Sequence, residues 1–322
     1  MSYLQLTSAE RYTISLLKVQ EYSISEIAEV LGRHRSTIYR ELARNKCNDG
    51  RYRVFKAISK TSGRRSCSRR NKQFDEQALS LVSLFIREKW SPEQVSKRLC
   101  DEKRLSISHD TIYRYVKTDK RQGGDLYTHL RHSRKQKRKA YGSADSRGVL
   151  RDKRHISERP SGAENRSRLG HWEIDTVVGN GSKDCIVTLV DRKAGLTLIG
   201  KLRNRTNKEL NAVVIRLIKR TGYKFTSITA DNGTEFHGYK EIEKKTKVKF
   251  YFANPYHSWE RGTNENTNGL IRQYLPKKTN MASLTQAGCD KIAEQLNNRP
   301  RKRYDFRTPR EVYFNISVAL QS

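Results

Sequence analysis

The chain has 322 residues, with 66 Lys and Arg against 34 Asp and Glu, a formal net charge of +32. An excess this large points to a polyanionic partner, most simply nucleic acid, and the 35% hydrophobic fraction still suffices for two or three small domains. No apolar run reaches the roughly 18 residues of a spanning helix. The opening "MSYLQLTSAERYTISLLKV" has charges where a secretory signal has its apolar core, and five scattered cysteines without a C-x-x-C argue for a reducing, cytoplasmic protein without disulfides or a Cys/His zinc site.

The first half holds a weak repeat. "SISEIAEVLGRHRSTIYREL" (Ser23–Leu42) is echoed by "SPEQVSKRL" and "SISHDTIYRYV" (Ser91–Val116). In the first copy Ser23 caps a helix, with Glu26 closing a capping box, and Gly32 suits a tight turn. A second helix follows, with Ile38 and Leu42 inward and Arg33, Arg35, Ser36, Thr37, Tyr39 and Arg40 outward. In the second copy Ser91 caps, Pro92 takes the first helical position and Gln94 completes the box. Ser108 caps a further helix, with Ile112 inward and His109, Asp110, Thr111, Tyr113 and Arg114 outward. Helix, turn and basic second helix form the helix-turn-helix plan for DNA. The expected organisation is a helix-turn-helix domain at 1–60, a basic linker at 61–74, a second helix-turn-helix-like domain at 75–120 and a second basic linker at 121–165.

Residues 166–322 read differently. "HWEIDTVVG", "CIVTLVDRKA" and "LTLIGKL" predict three strands. "NKELNAVVIRLIKRTG" predicts a helix, "SITADNGTEF" a strand running into a turn, "YKEIEKKTKV" a short helix and "KFYFA" a strand. A helix follows from about Asn264. The result is one mixed sheet with helices packed on it and a helical C-terminal tail. Three acids stand out: Asp175 in the first strand, Asp231 where the fourth strand ends, and Glu265 on the later helix. The gaps between them are 55 and 33 residues (231 − 175 − 1 and 265 − 231 − 1). Open α/β sheets place sites at strand ends where the chain changes direction. Three clustered carboxylates repel one another and suit two Mg²⁺ ions, or Mn²⁺ in their place, because hard cations take oxygen ligands. Competing readings exist for other residues. Glu173 shares a strand face with Asp175, Asp191 reads as a turn acid, and Glu235 as a satisfied loop residue. His171, Trp172 and Trp259 fit packing as well as a site. Arg261, like Trp259, could contact DNA, and Asn264, Asn266 and Asn268 could bind DNA or orient their helix.

"GHWEIDTVVG", "TADNGTEF", "PYHSWERGTNENTNGLIRQYLPK" and "LNNRPRKRYDFRTPREV" resemble the insertion-sequence transposases of the IS-thirty family. The resemblance implies an all-α helix-turn-helix N-terminal part followed by an α/β ribonuclease-H-like integrase core. Its D-D-(33)-E pattern falls on Asp175, Asp231 and Glu265 as catalytic and metal-holding residues. A basic residue seven positions past the glutamate is Arg272, on the same helix face; Asn264, Asn268, Arg272 and Lys277 are expected near DNA. The implied activity is Mg²⁺-dependent cleavage and strand transfer of double-stranded DNA at terminal inverted repeats and target. The expected agent is at least a homodimer, working on the bacterial nucleoid without membrane contact. A phage-type integrase or a silent helix-turn-helix regulator are the alternatives. A tyrosine recombinase is disfavoured because no histidine is followed by Arg at the third position.

Overall fold

A computed structural model describes residues 5–68, 74–131, 153–255 and 257–316. The chain divides into two compact units, one to Glu76 and one from Gln77. None of the described helices is long and apolar enough to cross a membrane.

The first unit contains α1 (Ser8–Val19), α2 (Ile24–Val30), α3 (Arg35–Asn45) and α4 (Val54–Ser68). Capping boxes Thr7/Glu10 and Ser23/Glu26 start the first two helices, each worth about 1 kcal/mol. Gly32, at φ +59°, makes the turn into α3, a conformation L side chains rarely adopt. Ile14, Ile27, Ala28 and Ile38 form the core. Beside it the Arg11 guanidinium pairs with Glu41 at 2.7 Å, both buried. The linker expected at 61–74 is helical as far as Ser68. Val54 and Ala57 anchor α4 through their burial, and Arg64 reaches the Asn45 side chain. A basic Ser-containing run continues a helix readily once its start is packed.

The second unit opens with α5 (Glu76–Arg87), α6 (Pro92–Asp101) and α7 (His109–Arg121). The Ser91/Gln94 capping box and the Ser108 cap form as the sequence predicts. This hairpin, expected as a domain of its own at 75–120, is docked on the sheet domain. Arg98 donates to both carboxylate oxygens of the buried Glu311 at 3.0 and 2.7 Å, and Gln94 donates to the Pro300 carbonyl at 2.6 Å. The basic linker expected at 121–165 is also ordered at both ends. A 3-10 turn spans Leu126–His129, and Arg87 holds Asp125 through two hydrogen bonds. At the other end His155 bridges to Phe252 in the sheet, ahead of α8 (Ser161–Glu164). Residues 132–152 of that linker lie outside the described residues.

The sheet comprises β1 (His171–Val178), β2 (Cys185–Asp191), β3 (Thr197–Leu202), β4 (Ser227–Ala230) and β5 (Lys249–Phe252). Its order is β3-β2-β1-β4-β5, antiparallel across the first three and parallel from β1 to β5. Trp172 and Ile174 on one face of β1 join the core beneath α9 (Asn207–Thr221) and α10 (Tyr239–Thr246). On the other face Val177 packs with α11 (Gly262–Ile271) and α12 (Gln286–Asn297). Strand alternation therefore turns Glu173 and Asp175 toward α11. The last helix among the described residues is α13 (Pro309–Phe314). This is the α/β ribonuclease-H-like arrangement expected, with its C-terminal helical tail.

Candidate active site

Asp175 lies mid-strand in β1. The parallel pairing Glu173↔Thr229, continued two residues further and so one past the end of β4, brings Asp231 alongside it. Asp231 is held by an Asx turn: its Oδ1 accepts from Gly233 N at 2.9 Å. A Cβ on Gly233 would stand 2.6 Å from Glu235 Oε2 and 2.9 Å from Asp231 Oδ1, so a side chain there would push on both carboxylates. Asp175 Oδ2 accepts from Asn268 Nδ2 at 2.8 Å, and Oδ1 from its neighbour Thr176 N at 2.9 Å. Burial pushes the Asp175 carboxyl above the usual carboxylate range, with Arg261 pulling it back and Asp231 pushing it further.

One cation stands between the two aspartates. Arg261, just ahead of α11, places Nη2 3.1 Å from Asp231 Oδ2 and Nη1 3.7 Å from Asp175 Oδ1. Its Nε is buried without a partner. Glu265 sits in the first turn of α11, exposed, its carboxylate without a hydrogen bond or ion pair among the described residues. Among the described residues no three His, Cys, Asp or Glu side chains stand close enough to hold a metal ion. The structure thus brings two of the three expected acids together and leaves the third free. Glu265 nevertheless belongs to the right stripe of its helix. Residues 261, 265, 268 and 272 share one face. Arg261 touches both aspartates, Asn268 touches Asp175, and Arg272 Nη2 donates to the Val178 carbonyl at the end of β1 at 3.0 Å.

The surrounding acids are structural. Glu173 is fully buried, pairs with Arg192, and accepts the Asn264 N–H at 2.8 Å, which fixes the start of the Glu265 helix. Glu235 accepts from Thr176 and Arg205, and Asp191 accepts from Gly170 and Ala194 N–H groups at the end of β2. His171 and Trp172 are buried, bonded to Ser227 and to the Lys224 carbonyl. Trp259 is 68% exposed and is no part of the core.

Comparisons with known proteins decide the family. The transposase for insertion sequence element IS4351 of Bacteroides fragilis is 37% identical, covering 98% of this chain and 99% of its own. Transposase InsI for insertion sequence element IS30A of Escherichia coli K12 is 39% identical, covering 95% and 82%. The chain belongs to the IS30 family of insertion-sequence transposases. A helix-turn-helix domain model matches residues 2–45. The catalytic core domain of BIV integrase is similar at 21% identity with a TM-score of 0.35, over 45% of this chain and 94% of that one. This IS30-family transposase is a DDE-type enzyme with a helix-turn-helix DNA-binding domain; enzymes of this type generally use divalent metal ions.

The expected DNA contacts of the transposase divide sharply. Arg35, Tyr39 and Arg40 are exposed along α3, with Ser36 and Thr37 half-buried beside them. Arg33 is engaged by Glu10 at 2.7 Å. On α7, His109, Asp110, Tyr113 and Arg114 are exposed, and Thr111 accepts from Arg114. Lys277 is exposed beyond α11. Asn264 and Asn268, expected near DNA, face the sheet instead. Asn264 is 0% exposed, and both side-chain oxygens accept from Thr188 Oγ1 at 3.3 Å. Arg272 is committed to backbone carbonyls. Arg261, weighed only as a DNA contact, is the residue whose place sequence reasoning missed. Its position four residues before Glu265, on the same stripe, is the pattern that could have found it.

Proposed function

We propose that this transposase binds the terminal inverted repeats of its element through the helix-turn-helix unit, and that Asp175, Asp231 and Glu265 hold two Mg²⁺ ions, or Mn²⁺ in their place, for strand cleavage and transfer. The observation that carries this reading is the pair Asp175 and Asp231, already gathered around one cation, Arg261. The donor set fits: it is all carboxylate oxygen, the ligand type Mg²⁺ prefers. Divalent ions there polarise the scissile phosphate and activate the attacking hydroxyl.

The chain's own residues prepare that chemistry. Asn268 orients Asp175, the Gly233 N–H orients Asp231, and Glu173 anchors the first turn of α11. The Arg261 guanidinium stands between the two aspartates, and Glu265 would supply the third carboxylate from the same stripe. Joining two element ends calls for at least a dimer on DNA, and the expected setting is the bacterial nucleoid.

The test is a pair of assays on Glu265→Gln: gel shift with inverted-repeat duplex, and cleavage of the same duplex in Mg²⁺. The amide keeps the shape and removes the charge, so binding should persist while cleavage falls about a thousandfold or more, the equivalent of roughly 4 kcal/mol in the barrier. Near-normal cleavage would sink the assignment of Glu265.

A further inference from the structure

A second concentration of charge lies away from the acids. A cleft of about 550 Å³ opens between the docked hairpin, the outer side of α11 and the loop joining α12 to α13. Six cationic side chains line it, Lys120, Arg131, Arg299, Arg301, Lys302 and Arg303, and no carboxylate does among the described residues. Tyr113 of α7, Tyr127 and Tyr304 complete the walls. Among the described residues only Lys302 has an acid within reach, Glu93 at 3.5 Å. Arg299 is 3% exposed, yet its partners are neutral: Gln94 Oε1 at 3.0 Å and Gln273 Oε1 at 2.7 Å. Arg301 donates to the Leu296 carbonyl at 3.0 Å. Arg131 lies over α11, with Nη1 3.4 Å from Asn266 Oδ1. A Cβ on Gly269 would meet its Nη2 at 2.8 Å.

Guanidinium groups gathered without carboxylates are costly, because burial and mutual repulsion both oppose their charge. Burial and the neighbouring arginines hold Arg299 down to about 10 and Arg301 to about 9. An anion entering the cleft relieves both costs, and a phosphate matches the guanidinium fork. The loop is also preorganised. Arg301 N and Phe306 N close it through bonds to Arg307 O and Arg301 O at 3.0 Å each, and Tyr304 OH ties it to the Lys193 carbonyl at 2.6 Å.

We infer that this cleft is a docking site for the phosphodiester backbone of double-stranded DNA, held between the second hairpin and the helix that carries Glu265. Its size admits a short run of backbone and excludes a whole duplex. Tyr113 and Lys120 bring the exposed face of α7 into the same contact. The inference rests on the transposase reading but assigns DNA contacts to residues outside both the helix-turn-helix unit and the three acids.

The experiment compares wild type with the Arg131→Ala/Arg301→Gln double variant, by fluorescence anisotropy of a labelled random-sequence duplex across a salt series. Two lost phosphate contacts should weaken binding several-fold at low salt and flatten the slope of log affinity against log salt by about 1 to 2. Arg301→Lys in place of Arg301→Gln should restore part of that slope. Inorganic pyrophosphate should raise the melting temperature of wild type more than that of the double variant. If the double variant melts early, Lys120→Ala/Arg131→Ala, both at exposed positions, carries the same comparison. An unchanged salt slope overturns the inference while leaving the catalytic reading intact. Loss of pyrophosphate binding with unchanged DNA binding makes the cleft a small-anion site and also overturns it. Failure of wild type itself to bind the duplex counts against the transposase reading rather than the cleft alone.

Discussion

Removing the guanidinium of Arg261 leaves Asp175 and Asp231 facing each other with nothing between them. Asp175 is already pushed upward by burial and by Asp231, and Arg261 is the largest opposing influence. Arg261→Gln should therefore lower the melting temperature in EDTA, because like charges within a partly buried site disfavour the charged form. It should also enlarge the melting-temperature gain on adding Mg²⁺ or Mn²⁺, since the ions no longer compete with a built-in cation. Thermal melts with and without metal measure both effects. Equal metal-induced gains in variant and wild type would remove Arg261 from the competition. A second residue-scale outcome concerns Glu10, whose hydrogen bond from Arg33, followed by the Thr7 cap, holds its carboxyl down at about 2, against an ordinary 4.5. A depressed carboxylate contributes stability above its unfolded value and loses it as pH falls through the folded one. The first unit should weaken from about pH 5 toward about pH 2, by roughly 1 kcal/mol after screening at this part-exposed pair. Glu10→Gln should flatten that part of a pH series of thermal melts.

At the scale of elements, apolar patterning and caps carried most of the prediction. The three strands around Asp175, the Ser91/Gln94 box and the helix ending at Gly222 follow from local sequence. α11 did not follow so simply. Its buried side is partly polar: Asn264 and Asn268 meet Glu173, Asp175 and Thr188, while Leu270 and Ile271 at its end join an apolar cluster. A rule that sends asparagines outward to DNA fails on such a helix. The placing of Asp175 within a strand and of Asp231 at a strand end was legible because a β-like run and an Asp-Asn-Gly turn are local features. The guanidinium between them was not, because it arrives from a separate element. The second half of α4, from residue 61, likewise reads as a tether, since its basic run gives no hint that Val54 and Ala57 anchor the start of the same helix.

At the scale of the whole molecule, the largest departure is the docked hairpin. The bond between Arg98 and Glu311 joins residues 213 positions apart, and no local pattern announces such a pair. Glu311 also accepts the Thr308 N–H that starts α13. Glu311→Gln should loosen both the hairpin and the tail. Taking one partner from a buried ion pair costs about 3–5 kcal/mol. Hydrogen exchange should then rise in α6, α7 and α13 ahead of the sheet. Uniform protection across these helices in the variant would show that other contacts hold the hairpin.

That docking gives the transposase a measure of length. The exposed side of α7, inferred above to meet DNA, and the pair Asp175 and Asp231, proposed to act on the scissile bond, belong to one compact unit; on that reading the span between the two is set by protein, not by DNA. Each added base pair lengthens a strand by about 3.4 Å, which a rigid span has no means to absorb. Inserting base pairs between the α7 footprint and the element end should leave the cut at its old distance from the footprint, now inside the inserted sequence. Mapping the nicked position on such substrates reads the span directly. A cut that stays at the element end, whatever the insertion, would mean that the position is chosen by the sequence at the end itself.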